Sequence, residues 1–244
     1  MSRSALILGA NSDIGKSLAL RLASAGYNLQ LAARDIKRLD KHKNLLIRKF
    51  NIDVLVYELN ILNPSSFESF LLKLPYLPNI VICVVGLMHV IEKDDDDTKI
   101  ISTIIRSNFE GPSQILSMFA HSFKARGFGC IVGISSVAGE RGRSSNYIYG
   151  SSKSGFTEFL SGLRNRFSKS NINVITILPG YVETKMTLGM KLPKFLTASP
   201  MEVADTIKNA IERKRTVVYV RPIWRIIMII IKIIPEKIFM RTKF

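Results

Sequence analysis

The sequence predicts an α/β fold: one doubly wound parallel sheet with helices on both faces. Three observations predict it. Short apolar runs, each the length of a buried strand, recur along the chain. Amphipathic stretches lie between them. A pair of glycines, Gly9 and Gly15, stands where the first apolar run gives way to the first amphipathic stretch. Strand and helix alternating in this way form βαβ units, whose parallel strands are covered on both faces.

Each element follows from its local pattern. Residues 5–8 are apolar and end at Gly9, which suits a buried first strand. No cleavage region follows, so the run does not read as a signal peptide. Further strands are expected at 29–32, 54–59, 80–85, 130–134, 174–178 and 217–220. Helices are expected between them at 14–25, 65–73, 98–125, 149–168 and 201–213. The carboxylates Asp94, Asp95, Asp96 and Asp97 precede one of these helices. They fit either a cation site or favourable charge at a helix N-terminus.

Composition narrows the function. The 244 residues are 47% hydrophobic and 22% charged, enough for one globular domain with a full core. No repeat or low-complexity linker divides the chain, so 1–221 is expected to be one domain, with 222–244 a basic, apolar tail. Cys83 and Cys130 sit in apolar runs without disulfide or metal spacing, and the three histidines are scattered. Buried thiols in a reducing cytoplasm and no metal site are expected. The net charge of +16 suits nucleic acid, an anionic membrane or anionic ligands. No zinc-finger, helix-turn-helix or RNA-recognition pattern is present, which argues against nucleic acid.

Two groups of residues carry chemistry. Gly9, Ala10, Asn11, Ser12, Asp13, Ile14 and Gly15 link the first strand to the first helix. A helix start offers unpaired N–H groups and partial positive charge to a diphosphate, and the glycines permit close approach. At the tip of the second strand, Arg34 would accommodate the 2′-phosphate of NADP, whereas an acid there would hold the ribose hydroxyls of NAD. Asp35, Lys37 and Arg38 could equally be a solvated helix start. NADP(H) is therefore preferred and NAD(H) remains open. The second group is Tyr149 and Lys153, four residues apart, with Ser136 upstream. On a helix the first two share a face. A phenol titrates near ~10, and a neighbouring cation favours its ionised form, so such a Tyr can exchange a proton with an alcohol or carbonyl.

These residues, in this order, resemble the short-chain dehydrogenase/reductase family, whose Rossmann-type fold would cover the chain from Ala5 to about Arg221. The resemblance implies that Tyr149 donates a proton to the substrate oxygen. It implies that Lys153 lowers the Tyr149 pKa and binds the nicotinamide ribose, and that Ser136 holds the carbonyl. Asn108 would support a water-linked proton relay. Asn60 would touch adenine, and Gly86, Pro179, Gly180 and Thr184 would line the cofactor's path. Two departures stand out: Asp13 replaces the middle glycine of the first loop, and Cys83-Val84-Val85-Gly86 replaces the Asn-Asn-Ala-Gly segment. Asp13 puts a carboxylate near the expected diphosphate, or caps the helix. Ser136 could instead be a strand-end cap, and Asn108 a helix-bend residue satisfying backbone groups. The stretch from Ser135 to Tyr147 is also similar to reductases of polyprenylphosphoryl 2-keto-pentoses, which implies a lipid-linked ketosugar. Competing readings are a dinucleotide-binding sensor or scaffold without turnover, and a sugar epimerase.

The tail at 223–234 is nearly all Ile, Met and Trp, broken by Arg225 and Lys232. It is shorter than the ~20 apolar residues that span a bilayer. With Arg221, Arg225 and Lys232 near one face, it reads as a helix lying in an anionic membrane interface on the inner face of the cell membrane. The alternative is a helix packed on the domain or in a homo-oligomer.

Overall fold

A computed structural model describes residues 3–88 and 97–242. Its strands are β1 (Ser4–Leu8), β2 (Asn28–Ala33), β3 (Val54–Glu58), β4 (Ile80–Cys83), β5 (Gly129–Ile134), β6 (Ile172–Leu178), β7 (Tyr181–Val182), β8 (Thr197–Ala198) and β9 (Val217–Tyr219). Its α-helices are α1 (Asp13–Ser24), α2 (Asp40–Phe50), α3 (Phe67–Leu72), α4 (Thr98–Ile105), α5 (Gly111–Arg126), α6 (Tyr147–Arg166), α7 (Pro200–Glu212), α8 (Ile223–Ile233) and α9 (Glu236–Phe239). Seven strands form one sheet in the order β3-β2-β1-β4-β5-β6-β9, and every pairing is parallel. Strand order reverses beside β1, which lies between β2 and β4. A crevice opens outside the carboxyl ends of strands at such a point.

The doubly wound expectation therefore holds, and β1 shows why. Side chains alternate across a strand. Ala5 and Ile7 join the core under α1, α2 and α7, with Leu18, Leu22, Leu46, Val203 and Ile207. Leu6 and Leu8 join the opposite core under α3, α5 and α6, with Phe67, Phe119, Phe123, Phe156 and Leu160. Fully burying each such side chain is worth about 1.5–3 kcal/mol. Residues 5–8 of the strand therefore have to be apolar at every position, while the buried Ser4 satisfies its hydroxyl by donating to Asn79 Oδ1 at 3.0 Å.

Two helices differ from expectation. The expected helix over 98–125 is two helices joined by a π-helical turn, Arg106–Glu110. Pro112 has no N–H for the carbonyl four residues earlier, at Asn108, so the regular ladder breaks there. Helix α2 is not among the expected helices, although a solvated helix start was one reading of Asp35, Lys37 and Arg38 just before it. It is rich in Lys, His and Asn, and Leu46 is its one buried residue, so it carries almost no apolar stripe. At 97, Asp97 accepts from the Lys99 N–H at 2.8 Å and caps α4, as the helix-start reading of the acidic run expected. Asp94, Asp95 and Asp96 lie outside the described residues.

The tail packs on the domain. Trp224, Met228 and Ile231 on one side of α8, with Phe239 of α9, form a third core with Val137 and Leu178. Its other side exposes Ile226, Ile229, Ile230 and Ile233. Among the described residues no helix is long and apolar enough to cross a membrane.

Candidate active site

A cavity of about 320 Å³ opens at the carboxyl ends of the central strands, between the turn after β1 and the segments that follow β4, β5 and β6. The turn after β1 is shaped by its backbone. Gly9 adopts φ +89°, a left-handed conformation open to glycine. The N–H groups of Gly9 and Ala10 both donate to the Ala32 carbonyl, at 2.9 and 3.0 Å. A Cβ on Gly15 would sit 2.7 Å from the Gly9 carbonyl oxygen, so the start of α1 packs directly on the turn. Ser12 caps α1: its Oγ accepts from the Gly15 N–H at 3.0 Å and donates to the Gly9 carbonyl at 2.8 Å. Asn11 Nδ2 donates to the Asp35 carbonyl at 2.6 Å, tying this turn to the tip of β2, and its Oδ1 is buried without a partner.

Asp13 does not cap the helix, because Ser12 holds that position. Its Oδ2 accepts from the backbone N–H of Lys185 at 2.8 Å. The residue standing where a glycine was expected thus reaches across the cavity to the segment after β7. Asn11, Ser12, Asp13 and Ile14 all line the cavity.

The outer end of the crevice is exposed. Arg34 projects from the tip of β2. The neighbouring Asp35 is occupied: one oxygen accepts from the Lys37 N–H at 3.1 Å and the other pairs with Arg38 at 3.1 Å. Asn60 is exposed beyond β3 and accepts from the Leu62 N–H at 3.1 Å, closing its own turn. Arg34, Asn60, Gly9, Gly15 and Asn108 do not line the cavity.

The inner end gathers Ser136, Tyr149 and Lys153. Helix α6 presses on β5 at Gly133, where a Cβ would lie 2.4 Å from Leu160. This places the first turns of α6 over the end of β5. Tyr149 and Lys153 share a face as expected, with Lys153 Nζ 5.9 Å from the centre of the phenol ring. That ammonium donates to the Ile134 carbonyl at 2.9 Å and the Val85 carbonyl at 3.5 Å. Gly86 stands beside it: a Cβ there would be 3.4 Å from Nζ. Ser136 Oγ accepts from the Ala138 N–H at 3.1 Å, so it caps the turn after β5 and also bonds the Tyr149 phenol. Neighbouring Ser135 fixes α6, donating to the Lys153 carbonyl at 2.9 Å.

The electrostatics differ from the sequence expectation. Burial raises the Tyr149 pKa, and Ser136 and Arg143 pull it down less strongly. Burial lowers Lys153 to about 8. The ammonium points at two carbonyls, and the dry site penalises the charged form of both groups. Lys153 therefore does not bring the phenol below its ordinary range here; instead it is itself made easy to discharge.

Asn108 is fully buried. Its Oδ1 accepts from the Leu87 N–H at 2.7 Å, and its Nδ2 donates to the Leu87 carbonyl at 2.7 Å and to Ser152 Oγ at 3.0 Å. The side chain pins the segment after β4 to α6, the backbone-satisfying alternative. Pro179, Gly180 and Thr184 line the cavity. Thr184 and Thr187 form a capping box around a short helical turn.

The sequence reading missed Trp224 as a wall of this cavity. A Cβ on Gly180 would sit 1.9 Å from the indole, so glycine there admits the ring. Trp224 Nε1 donates to the Leu196 carbonyl at 3.1 Å, and the ring meets Tyr181 edge-on at 5.4 Å. The tryptophan expected to face lipid faces the domain. The expected basic stripe is also broken up. Arg221 precedes α8 and pairs with Glu202 at 3.0 Å, and Lys232 pairs with Glu140 at 2.7 Å. Arg143 and Asn146, from the stretch between Ser135 and Tyr147, line it as well.

Known proteins place this arrangement. The family model described as short chain dehydrogenase matches residues 3–192. An uncharacterized oxidoreductase of Mycobacterium tuberculosis is 28% identical over 239 residues, covering 97% of this chain and 95% of that protein. The NADP-dependent 3-hydroxy acid dehydrogenase of Schizosaccharomyces pombe is 28% identical over 231 residues, covering 87% of this chain and 88% of its own. Among solved structures, a short-chain dehydrogenase from Sphingobium yanoikuyae in complex with NADPH superposes with a TM-score of 0.84 at 24% identity, covering 96% of this chain and 97% of that one.

Proposed function

The chain belongs to the short chain dehydrogenase family, and on that premise we propose that it reduces a carbonyl compound to an alcohol with NADP(H) as its preferred cofactor. One observation carries the reading: Ser136, Tyr149 and Lys153 converge on one cavity that is also lined by Asn11, Ser12, Asp13 and Ile14 at the start of α1. The residues present fit a dinucleotide. The turn leaves a buried, unpartnered Asn11 Oδ1 beside the helix start, where backbone donors suit a diphosphate. Arg34 suits a 2′-phosphate, and Asp35, the acid that would favour NAD, is engaged with Arg38 and Lys37. The NADP named for the yeast relative and the NADPH-bound structure supports the same choice. When bound, the nicotinamide supplies the hydride.

The chain's residues supply the proton and the positions. The raised pKa keeps the Tyr149 phenol protonated through neutral pH, so it holds the proton that the substrate oxygen receives. Ser136 Oγ, bonded to the same phenol, holds that oxygen and stabilises charge as it forms. Lys153, with a pKa of about 8, is largely charged at pH 7 and offsets the phenolate left behind. As the family resemblance implies, it would also hold the nicotinamide ribose. Asn108 keeps the floor of the site in place. A water relay there would use its backbone, since its amide is fully engaged.

The test is loss of NADPH absorbance across a panel of ketones that includes lipid-linked ketosugars. Tyr149→Phe should lose about 10²–10⁴-fold in turnover and keep its NADPH affinity. Near-normal turnover in that variant would defeat the assignment. Tight NADPH binding without turnover of any carbonyl would favour the sensor or scaffold reading.

A lipid-linked substrate met at an anionic membrane surface is the finer proposal. The outward row of Ile226, Ile229, Ile230 and Ile233, with exposed Leu188 and Phe195 on the segment lining the cavity mouth, supports it. Basic residues Lys191, Lys194 and Arg225 lie in the same two segments, and Lys237 and Arg241 follow in and after α9. Replacing those four isoleucines with serine should abolish flotation with phosphatidylglycerol vesicles. Unchanged flotation refutes the surface, and a dimer that dissociates in the variant assigns the face to a second copy.

A further inference from the structure

We infer that the substrate carries an anionic group, a carboxylate or a phosphate, and that Arg143 binds it inside the cavity. The inference rests on the reductase reading and adds a substrate class to it. Two arginines leave the loop between β5 and α6, and their fates differ. Arg141 is spent on the fold: it donates to the carbonyls of Ile231, Lys232 and Ile234 at 2.8, 3.1 and 2.8 Å and pairs with Glu236 at 2.8 Å. Arg143 lines the cavity, and among the described residues its guanidinium has no hydrogen-bond or ion-pair partner. It lies close enough to Tyr149 to act on the phenol's charge. A guanidinium left free at the reacting end of a cavity is a fork for two acceptor oxygens.

The surroundings agree. Among the described residues, Arg143, Lys153 and Lys185 line the cavity against one carboxylate, Asp13, which already accepts from the Lys185 N–H. The nearby acid Glu140 is held by Tyr219 at 2.9 Å and Lys232 at 2.7 Å. Asn146, beside Arg143, leaves its Oδ1 buried without a partner and does not cap α6, so this end of the cavity also offers an acceptor to a substrate hydroxyl.

Trp224 gives a readout that needs no turnover. It is the chain's single tryptophan and part of the cavity wall. Its fluorescence is titrated, in the presence of NADP⁺, with two matched pairs: levulinate against methyl levulinate, and dihydroxyacetone phosphate against dihydroxyacetone. At least one anionic member should bind tenfold or more tighter than its neutral partner, and the pair that does so identifies carboxylate or phosphate. In Arg143→Met that ratio should fall to near one, and Arg143→Lys should keep part of it. Equal affinities within both pairs would overturn the inference. So would a ratio that survives Arg143→Met, or an effect of that substitution confined to NADP⁺ affinity. A charge preference that depends on Arg143, with no NADPH oxidation on any carbonyl, would leave the anion site standing and remove the reductase reading instead.

Discussion

The two walls of the cavity are built differently. The wall at the start of α1 is made mostly of backbone: Gly9, Ser12 and Gly15 bond one another within a few residues, and Gly9 and Ala10 bond the Ala32 carbonyl of the adjacent β2. The wall that carries Trp224 is assembled from more distant chain. Trp224 is seated on Gly180, and Arg141 reaches ninety and more residues along the sequence to hold the end of α8. A wall made of backbone turns tolerates change outside its glycines. A wall made of long-range side chains depends on a few single residues.

Removing Arg141 breaks this comparison most sharply. Arg141→Ala deletes charge-assisted bonds to three carbonyls and Glu236, and a cation–π contact 4.1 Å from the Phe239 ring. The bonds are not additive, and a loss of about 3 kcal/mol is expected. Hydrogen exchange should show α8 opening while α1 stays protected; equal loss in both would mean that the walls are one cooperative unit. A comparable effect comes from Lys153, read through pH. Its folded pKa of about 8 lies below the unfolded value of 10.5. Between those values the unfolded chain binds the extra proton, so stability from this group rises as pH increases from about 8 to 10.5. Lys153→Met should remove that rise, seen as the difference between the two proteins' denaturant midpoints at pH 7.5 and 10. The same titration should make kcat/KM for carbonyl reduction fall above about pH 8, where the charge is lost. The smallest effect concerns the bond joining the walls. Asp13→Ala removes the Lys185 N–H acceptor, for about 1 kcal/mol or less at an exposed site. Faster exchange of the Lys185 amide would sharpen the picture, and unchanged exchange would show that Thr184 and Thr187 hold the turn unaided.

The same division explains what could be read from sequence. The seven strands of the main sheet, α1, and the grouping of Ser136, Tyr149 and Lys153 lie where expected, whereas the two-residue strands β7 and β8 are too short for any periodicity to announce. Asp13 was visible as an anomaly, but its partner sits on a turn 172 residues away, which no spacing rule reaches. Trp224 looked like a lipid anchor because an apolar helix advertises its hydrophobicity without saying which side the domain covers. Helix α2 escaped for the opposite reason: tertiary contact through Leu39 and Leu46 suffices to hold a largely polar helix. That Arg143 has no partner among the described residues while Arg141, two residues away, is spent on the fold appears when their surroundings are known.

The short ladder of β7 and β8 has an engineering consequence. Its two pairs, Tyr181 with Thr197 and Val182 with Ala198, clamp both ends of the segment between them. Whatever lies inside that clamp contributes no strand to the main sheet. Exchanging the stretch for others of similar span, with Lys185 and Leu196 kept because they bond Asp13 and Trp224, should therefore leave the registers of the seven-stranded scaffold unchanged.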